Sequence, residues 1–260
     1  MTDVPIAGDT VPTRRGLRRG VYLLPSLFTV ANLFCGWACV VYAIRGDFLT
    51  AAPFIGFAIV LDMLDGRIAR MTGTTSAFGV EFDSLADLIS FGMAPAVLVF
   101  LWGLLPLGRL GWAVGFLYLT AAALRLARFN IQPVADKRYF VGMPSPAAAA
   151  VPASTVYYYP AGFESRPEAY LAMAMLLIVA LLMVSAFRFQ SFKTFDLRAR
   201  RSYQWLALLA AIIALIVTEP QRVLVVMAYL YLVSPIIDGV ISYVRRKDGA
   251  PDEPAGTTGE

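Results

Sequence analysis

No histidine occurs among the 260 residues, which removes a histidine-activated nucleophile, histidine-liganded zinc or haem, and a histidine general base together. Acid–base chemistry therefore falls to carboxylates. Charge is scarce as well: Asp, Glu, Lys and Arg make up 15% of the chain against 58% hydrophobic residues, and the mean hydropathy is +0.66. That balance excludes an ordinary soluble domain. The two cysteines, Cys35 and Cys39, stand i,i+4 on one apolar stretch. They are too few for a disulfide framework or a metal site of their own and read as small interior residues. Nothing in the composition indicates a nucleic-acid partner. The net charge of +4 and the pI near 9.1 suit anionic lipid headgroups instead.

What the sequence has in abundance is apolar runs of membrane-crossing length. About 20 apolar residues span a bilayer, and runs of that order place helices near 21–44, 50–71, 82–104, 110–129, 142–160, 168–187, 203–218 and 222–244. The fold class expected is an all-α polytopic membrane protein with about eight transmembrane helices. One membrane domain over 21–244 follows a basic segment, 1–20, and precedes a polar, disordered tail, 245–260. Pro106, Pro160, Pro167 and Pro220 mark ends of spans. Pro25, Pro53, Pro95, Pro146, Pro152 and Pro235 fall inside them, as membrane helices tolerate. The first run is too long for a signal-peptide core and lacks a small-residue cleavage site, so it is expected to be retained. Arg45, Arg109, Arg166 and Arg222 are the only basic residues on odd-numbered connections, leaving 18 of the 22 Lys and Arg on the other side. The positive-inside rule then predicts both termini in the cytoplasm. The connection 188–201 is rich in Arg and Lys and reads as a topological anchor or a substrate-facing surface.

Against this background four aspartates stand out in residues 62–87, DMLDGRIARMTGTTSAFGVEFDSLAD. Asp62 and Asp65 are spaced i,i+3, and Asp83 and Asp87 i,i+4, so each pair shares one helix face. Carboxylates held together in an apolar medium repel one another unless a cation compensates, and a divalent metal site is the economical reading. Gly66 and Ala69 lack bulk at roughly helical spacing from Asp62, which lets a flat ligand approach the backbone. Gly79, Asp83 and Asp87 form a stripe on the next helix. Arg70 is placed to offset carboxylates or to hold a phosphate. The competing class is a cation or proton pathway through intramembrane aspartates.

The pattern D-x2-D-G-x2-A-R, eight residues, then G-x3-D-x3-D, supplied by Asp62, Asp65, Gly66, Ala69, Arg70, Gly79, Asp83 and Asp87, resembles the signature of the CDP-alcohol phosphotransferase family with no position substituted. The resemblance implies a six-helix core with a cytoplasm-facing polar cavity, two divalent cations, Mg2+ or Mn2+, and a CDP-linked lipid donor. It implies Asp62, Asp65, Asp83 and Asp87 as metal ligands, with Asp87 also the catalytic base. Gly66, Ala69, Arg70 and Gly79 would line the CDP-lipid pocket. A homodimer in the bacterial inner membrane is the expected assembly and location.

LPSLFTVANLFCGW (24–37), FDSLADLISFGMAPA (82–96), ALRLARFN (123–130), GMPSPAAA (142–149) and VSAFRFQSFK (184–193) resemble the membrane-embedded phosphatidylserine synthases of that family. Ser26 and Trp37 depart from the usual form of the first stretch. This resemblance implies CDP-diacylglycerol and L-serine as substrates. Serine carries a carboxylate, so a guanidinium is expected near the aspartates. Arg125 and Arg128, i,i+3 at the end of the fourth span, are the candidates, with anchoring as their competing role. Ser90 on the acceptor side and Thr29 and Asn32 on the CDP-lipid side are further pocket candidates, as is Asn130. Helix-packing hydrogen bonds are the competing role for each. Glycerol 3-phosphate, choline and inositol 1-phosphate remain alternative acceptors, choline through an aromatic cage from Tyr157, Tyr158 and Tyr159. Asp238 is read as structural.

Overall fold

A computed structural model describes residues 16–72, 76–131, 139–185, 188–190 and 202–248. Eight helices account for nearly all of it: α1 (Gly16–Ile44), α2 (Phe48–Thr72), α3 (Ala77–Leu107), α4 (Arg109–Ile131), α5 (Ser145–Tyr158), α6 (Arg166–Val184), α7 (Ser202–Thr218) and α8 (Pro220–Asp248). The chain is thus an all-α polytopic membrane protein. Among the described residues five helical stretches are long and apolar enough to cross a bilayer: Ser26–Ile44, Phe48–Met71, Ala77–Leu107, Arg109–Ile131 and Arg166–Val184. The span expected over 142–160 is realised as a helix of 14 residues. At about 1.5 Å per residue it reaches only about 21 Å, short of the roughly 30 Å hydrocarbon layer. Its residues Ala148, Ala149, Val151 and Val156 are fully buried, so α5 is a core element with protein on its flanks.

The proline- and glycine-bearing turns set the helix ends. Gly46, at φ +76°, turns the chain after α1, and the Asp47 carboxylate accepts the Thr50 N–H at 3.1 Å to start α2. Ser165 and Glu168 make a reciprocal capping box at the start of α6. Two three-residue strands were not anticipated from the sequence: β1 (Tyr139–Val141) pairs antiparallel with β2 (Arg188–Gln190), Tyr139 opposite Gln190 and Val141 opposite Arg188. They join the α4–α5 and α6–α7 connections, which an alternating arrangement of helices brings to one side. Gly142, at φ +81°, makes the exit from β1 possible, since a Cβ there would lie 2.4 Å from the Met183 carbonyl oxygen.

Alanine and glycine form much of the interior. Ala43, Ala51, Ala58, Ala94, Ala122, Ala148 and Ala149 are almost wholly buried, whereas Phe34, Trp37, Phe57, Trp112 and Phe116 point outward. In a bilayer, apolar bulk gains nothing by hiding from lipid, and small residues let helices approach closely, so this distribution is the expected one. α1 and α2 make the most extensive pair; α4 packs on α6, α2 on α5, and α8 on α5. Cys35 and Cys39 are buried, unpaired thiols, as the sequence predicted. Expectations for residues 1–15 and 249–260, and for most of the basic connection 188–201, lie outside the described residues, as does the side chain of Asp238. α1 already begins at Gly16 and α8 runs to Asp248.

Candidate active site

The last turns of α2 and the first turns of α3 bring the aspartates together. Ser76 starts α3 by accepting the Gly79 N–H at 3.0 Å on its hydroxyl. This aims the Asp83 and Asp87 face of α3 at the Asp62 face of α2. One carboxylate oxygen from each of Asp62, Asp83 and Asp87 falls within 4.8 Å of the others, and all three residues are partly buried. Asp83 Oδ1 is buried without any hydrogen-bond partner. Among the described residues the one ion pair within 4.0 Å joins Arg222 to Glu219, away from this cluster. Three clustered carboxylates with a buried oxygen unpaired call for a hard cation with oxygen ligands. The donor set therefore fits a divalent metal of magnesium or manganese type.

Asp65 differs from its three partners. It is 4% exposed, it accepts a hydrogen bond from Thr29 Oγ1 at 3.3 Å, and it lies outside the three-carboxylate cluster while remaining within electrostatic range of Asp62 and Asp83. Gly66 and Ala69 are half-buried, and Arg70 is exposed in the last turn of α2. Beside Gly66 a methyl group would meet no atom within 4 Å, so open space adjoins the backbone there. At Gly79 an added Cβ would lie 3.1 Å from Ser76 Oγ, which ties this glycine to the helix cap as well as to the aspartate face.

The two candidate arginines separate. Arg125 is partly buried, donates from Nη1 to Ser145 Oγ at 2.6 Å, and lies within electrostatic range of Asp87, Asp62 and Tyr231. Arg128 is exposed. Asn130, also exposed, donates to Ser84 Oγ at 3.0 Å and links α4 to α3. Ser90 is fully buried and donates to the Asn32 carbonyl oxygen at 2.9 Å; Asn32, also fully buried, donates from Nδ2 to Asp87 Oδ1 at 3.1 Å. Two neighbours of Arg125 were missed in the sequence. Ser145 stands in the GMPSPAAA run that had been singled out, whereas Tyr231, on an apolar helix far along the chain, carries no signal of its own.

The profile of the family described as CDP-alcohol phosphatidyltransferase matches residues 22–184, which contain the whole aspartate site. The chain belongs to the CDP-alcohol phosphatidyltransferase family. A CDP-diacylglycerol–serine O-phosphatidyltransferase of Helicobacter pylori is 36% identical over 223 residues, 84% of this chain and 91% of that protein. An archaetidylserine synthase of Methanothermobacter thermautotrophicus is 34% identical over 168 residues, 64% and 69% of the two chains. A CDP-diacylglycerol–serine O-phosphatidyltransferase of Mycobacterium leprae is 42% identical over 140 residues, 51% of this chain and 46% of that protein. Family membership makes this chain a membrane-embedded transferase. Helices α7 and α8 lie beyond the family-wide segment, yet α8 packs on α5 with Tyr229 OH 3.1 Å from Thr155 Oγ1.

Proposed function

We propose that this transferase moves the phosphatidyl group of CDP-diacylglycerol to the hydroxyl of L-serine, giving phosphatidylserine and CMP. The observation that carries the reading is that Arg125, held by Ser145, lies within electrostatic range of Asp87 and Asp62, two of the three clustered carboxylates. It is supported by relatives that carry that activity in their names.

Asp62, Asp83 and Asp87 would hold the divalent cations, with Asp65 behind them, and the metal supplies neutralisation of the pyrophosphate and of the departing CMP. The CDP-lipid enters over the open side of Gly66, with Ala69 and Gly79 flanking and Arg70 offering its guanidinium to a phosphate. Arg125 takes the serine carboxylate, which sets the acceptor hydroxyl towards Asp87. Asp87 accepts the hydroxyl proton as the serine oxygen bonds to the β-phosphorus, and the bond from that phosphorus to the CMP oxygen breaks. Arg128, being exposed, serves as an anchor at the membrane surface. Both termini and the aspartate end of the bundle face the cytoplasm, in the inner membrane of a bacterium, and 21–244 acts as one catalytic domain, assembled as a homodimer.

Purified protein with CDP-diacylglycerol, a divalent cation and each alcohol in turn decides the acceptor by CMP release. Release with serine, and much less with glycerol 3-phosphate, choline or inositol 1-phosphate, is the expected result. Release with another alcohol and none with serine overturns the assignment.

A further inference from the structure

A line of hydrogen bonds leaves α3, crosses α1 and returns to α3. Ser90 Oγ donates to the Asn32 carbonyl oxygen at 2.9 Å, and Asn32 Nδ2 donates to Asp87 Oδ1 at 3.1 Å. Both Ser90 and Asn32 are 0% exposed. The two helices meet at Gly36, one turn beyond Asn32, where a Cβ would lie 2.6 Å from Ser90 Oγ and 2.8 Å from Ser90 Cα. Backbone and side chain of Asn32 are therefore both held, the first by Ser90 and by the close approach at Gly36, the second by Asp87.

The Asn32 amide also has a cost. Its Oδ1 is buried with no hydrogen-bond partner, and an unsatisfied buried carbonyl oxygen is a net penalty that an apolar side chain of the same shape avoids. Packing alone does not explain such a group. Rotating the amide to relieve Oδ1 would set it against an oxygen of Asp87, two acceptors face to face, so the donor orientation is fixed by the carboxylate. A neutral donor holds one oxygen of Asp87 without neutralising its charge.

We infer that Asn32 is a positioning residue for Asp87: its side-chain amide, carried on a backbone that Ser90 anchors, fixes the rotamer in which the Asp87 carboxylate meets the acceptor hydroxyl. This replaces a contact with the CDP-lipid as the role of Asn32, and it rests on the reading of Asp87 as the base. The amide acts through Asp87, so its loss lowers turnover and spares substrate affinity.

Full-length Asn32→Leu, Ser90→Ala and Asp87→Asn, purified beside the parent, test the inference by steady-state CMP release, by direct CDP-diacylglycerol binding and by thermal unfolding. Asn32→Leu is expected to lower kcat about 10- to 100-fold, the range for losing a residue that orients an active-site group. Its serine KM and CDP-diacylglycerol affinity should stay within about twofold of the parent, with a single cooperative unfolding transition retained, since the relief of Asn32 Oδ1 is offset by the loss of the donor to Asp87 Oδ1. Ser90→Ala, a change small enough to keep the fold, should lower kcat by a smaller factor with the same split. Unchanged kcat in Asn32→Leu overturns the inference, and so does a loss of CDP-diacylglycerol binding, which would return Asn32 to the lipid site. If Asn32→Leu does not fold, an unchanged kcat in Ser90→Ala overturns it. Asp87→Asn separates the two layers: turnover retained there refutes the base itself, whatever the Asn32 variant does.

Discussion

Arg125 gives one nitrogen, Nη1, to Ser145 Oγ at 2.6 Å while its Nε–H is buried with no hydrogen-bond partner. A guanidinium pinned at one end and unsatisfied at another is preorganised to receive a planar anion. Arg125→Lys is accordingly expected to raise the KM for serine about 10- to 100-fold, in line with roughly 1.5–3 kcal/mol for a charge-assisted hydrogen bond. Serinol, which keeps the hydroxyl and amine but lacks the carboxylate, should lose little. The ratio of kcat/KM for the two acceptors measures the effect, and equal losses for both would show that Arg125 does not bind the carboxylate. Arg128→Ala, on the exposed side of α4, should change either value by less than about twofold.

Asp83 and Asp65 are predicted to behave differently. Asp83 Oδ1 is buried and unpaired in the cluster, whereas Asp65 has Thr29 as a donor and stands outside it. Asp83→Asn should abolish turnover or raise the Mn2+ concentration for half-maximal CMP release by at least tenfold, and Asp65→Asn should raise it less. Manganese binding followed by electron paramagnetic resonance gives the same comparison without turnover. Removal of divalent cations by a chelator should stop CMP release, and Mg2+ or Mn2+ should restore it.

Tyr231, on α8, lies within electrostatic range of Arg125. Tyr231→Phe removes one hydroxyl, worth about 0.5–1.5 kcal/mol as a neutral hydrogen bond, and should raise the KM for serine by about two- to tenfold. Affinity for CDP-diacylglycerol should be unchanged. An effect on the lipid and none on serine would move Tyr231 to the donor side.

Gly142 offers a test of the fold apart from chemistry. At φ +81° and with a Cβ position 2.4 Å from Met183 O, it has no room for a side chain. Gly142→Ala should cost at least about 1–3 kcal/mol, read as a lower unfolding temperature in detergent, through strain at the exit from β1.

Much of this arrangement is legible before folding. Apolar run lengths foretell eight helices, and the spacing of Asp62, Asp65, Asp83 and Asp87 foretells faces that can meet. Spacing along a helix does not say which carboxylates converge, however. Asp65 is i+3 from Asp62 and still lies outside the cluster, because it turns towards Thr29 on α1. Nor does it distinguish Arg125 from Arg128, also i,i+3, since only the former faces α5 and its Ser145. Tyr231 is invisible for a related reason: its neighbour in space is over a hundred residues away in sequence. The β1–β2 pair escapes too, as three-residue strands carry no periodicity to read.

Helix α3 has a property that its length conceals. Between Leu88 and Met93, and again between Phe100 and Leu104, it widens into π-helical turns; the Ala94 N–H reaches back to Ile89 O, five residues away. Pro95 has no N–H to give the Phe91 carbonyl, and Tyr118 OH supplies a donor at 3.1 Å in its place. Each extra residue taken up in a wide turn advances the helix by about 100° of rotation relative to an unbroken one. The half that carries Asp83 and Asp87 and the half that carries Trp102 are thereby out of phase. A single helical wheel drawn over Ala77–Leu107 would put one of them on the wrong side of the bundle, and losing one residue from 88–93 would close the wide turn into an ordinary α-turn and keep the aspartates facing α2, whereas the same loss from the regular turns of 77–87 would swing Asp83 and Asp87 apart.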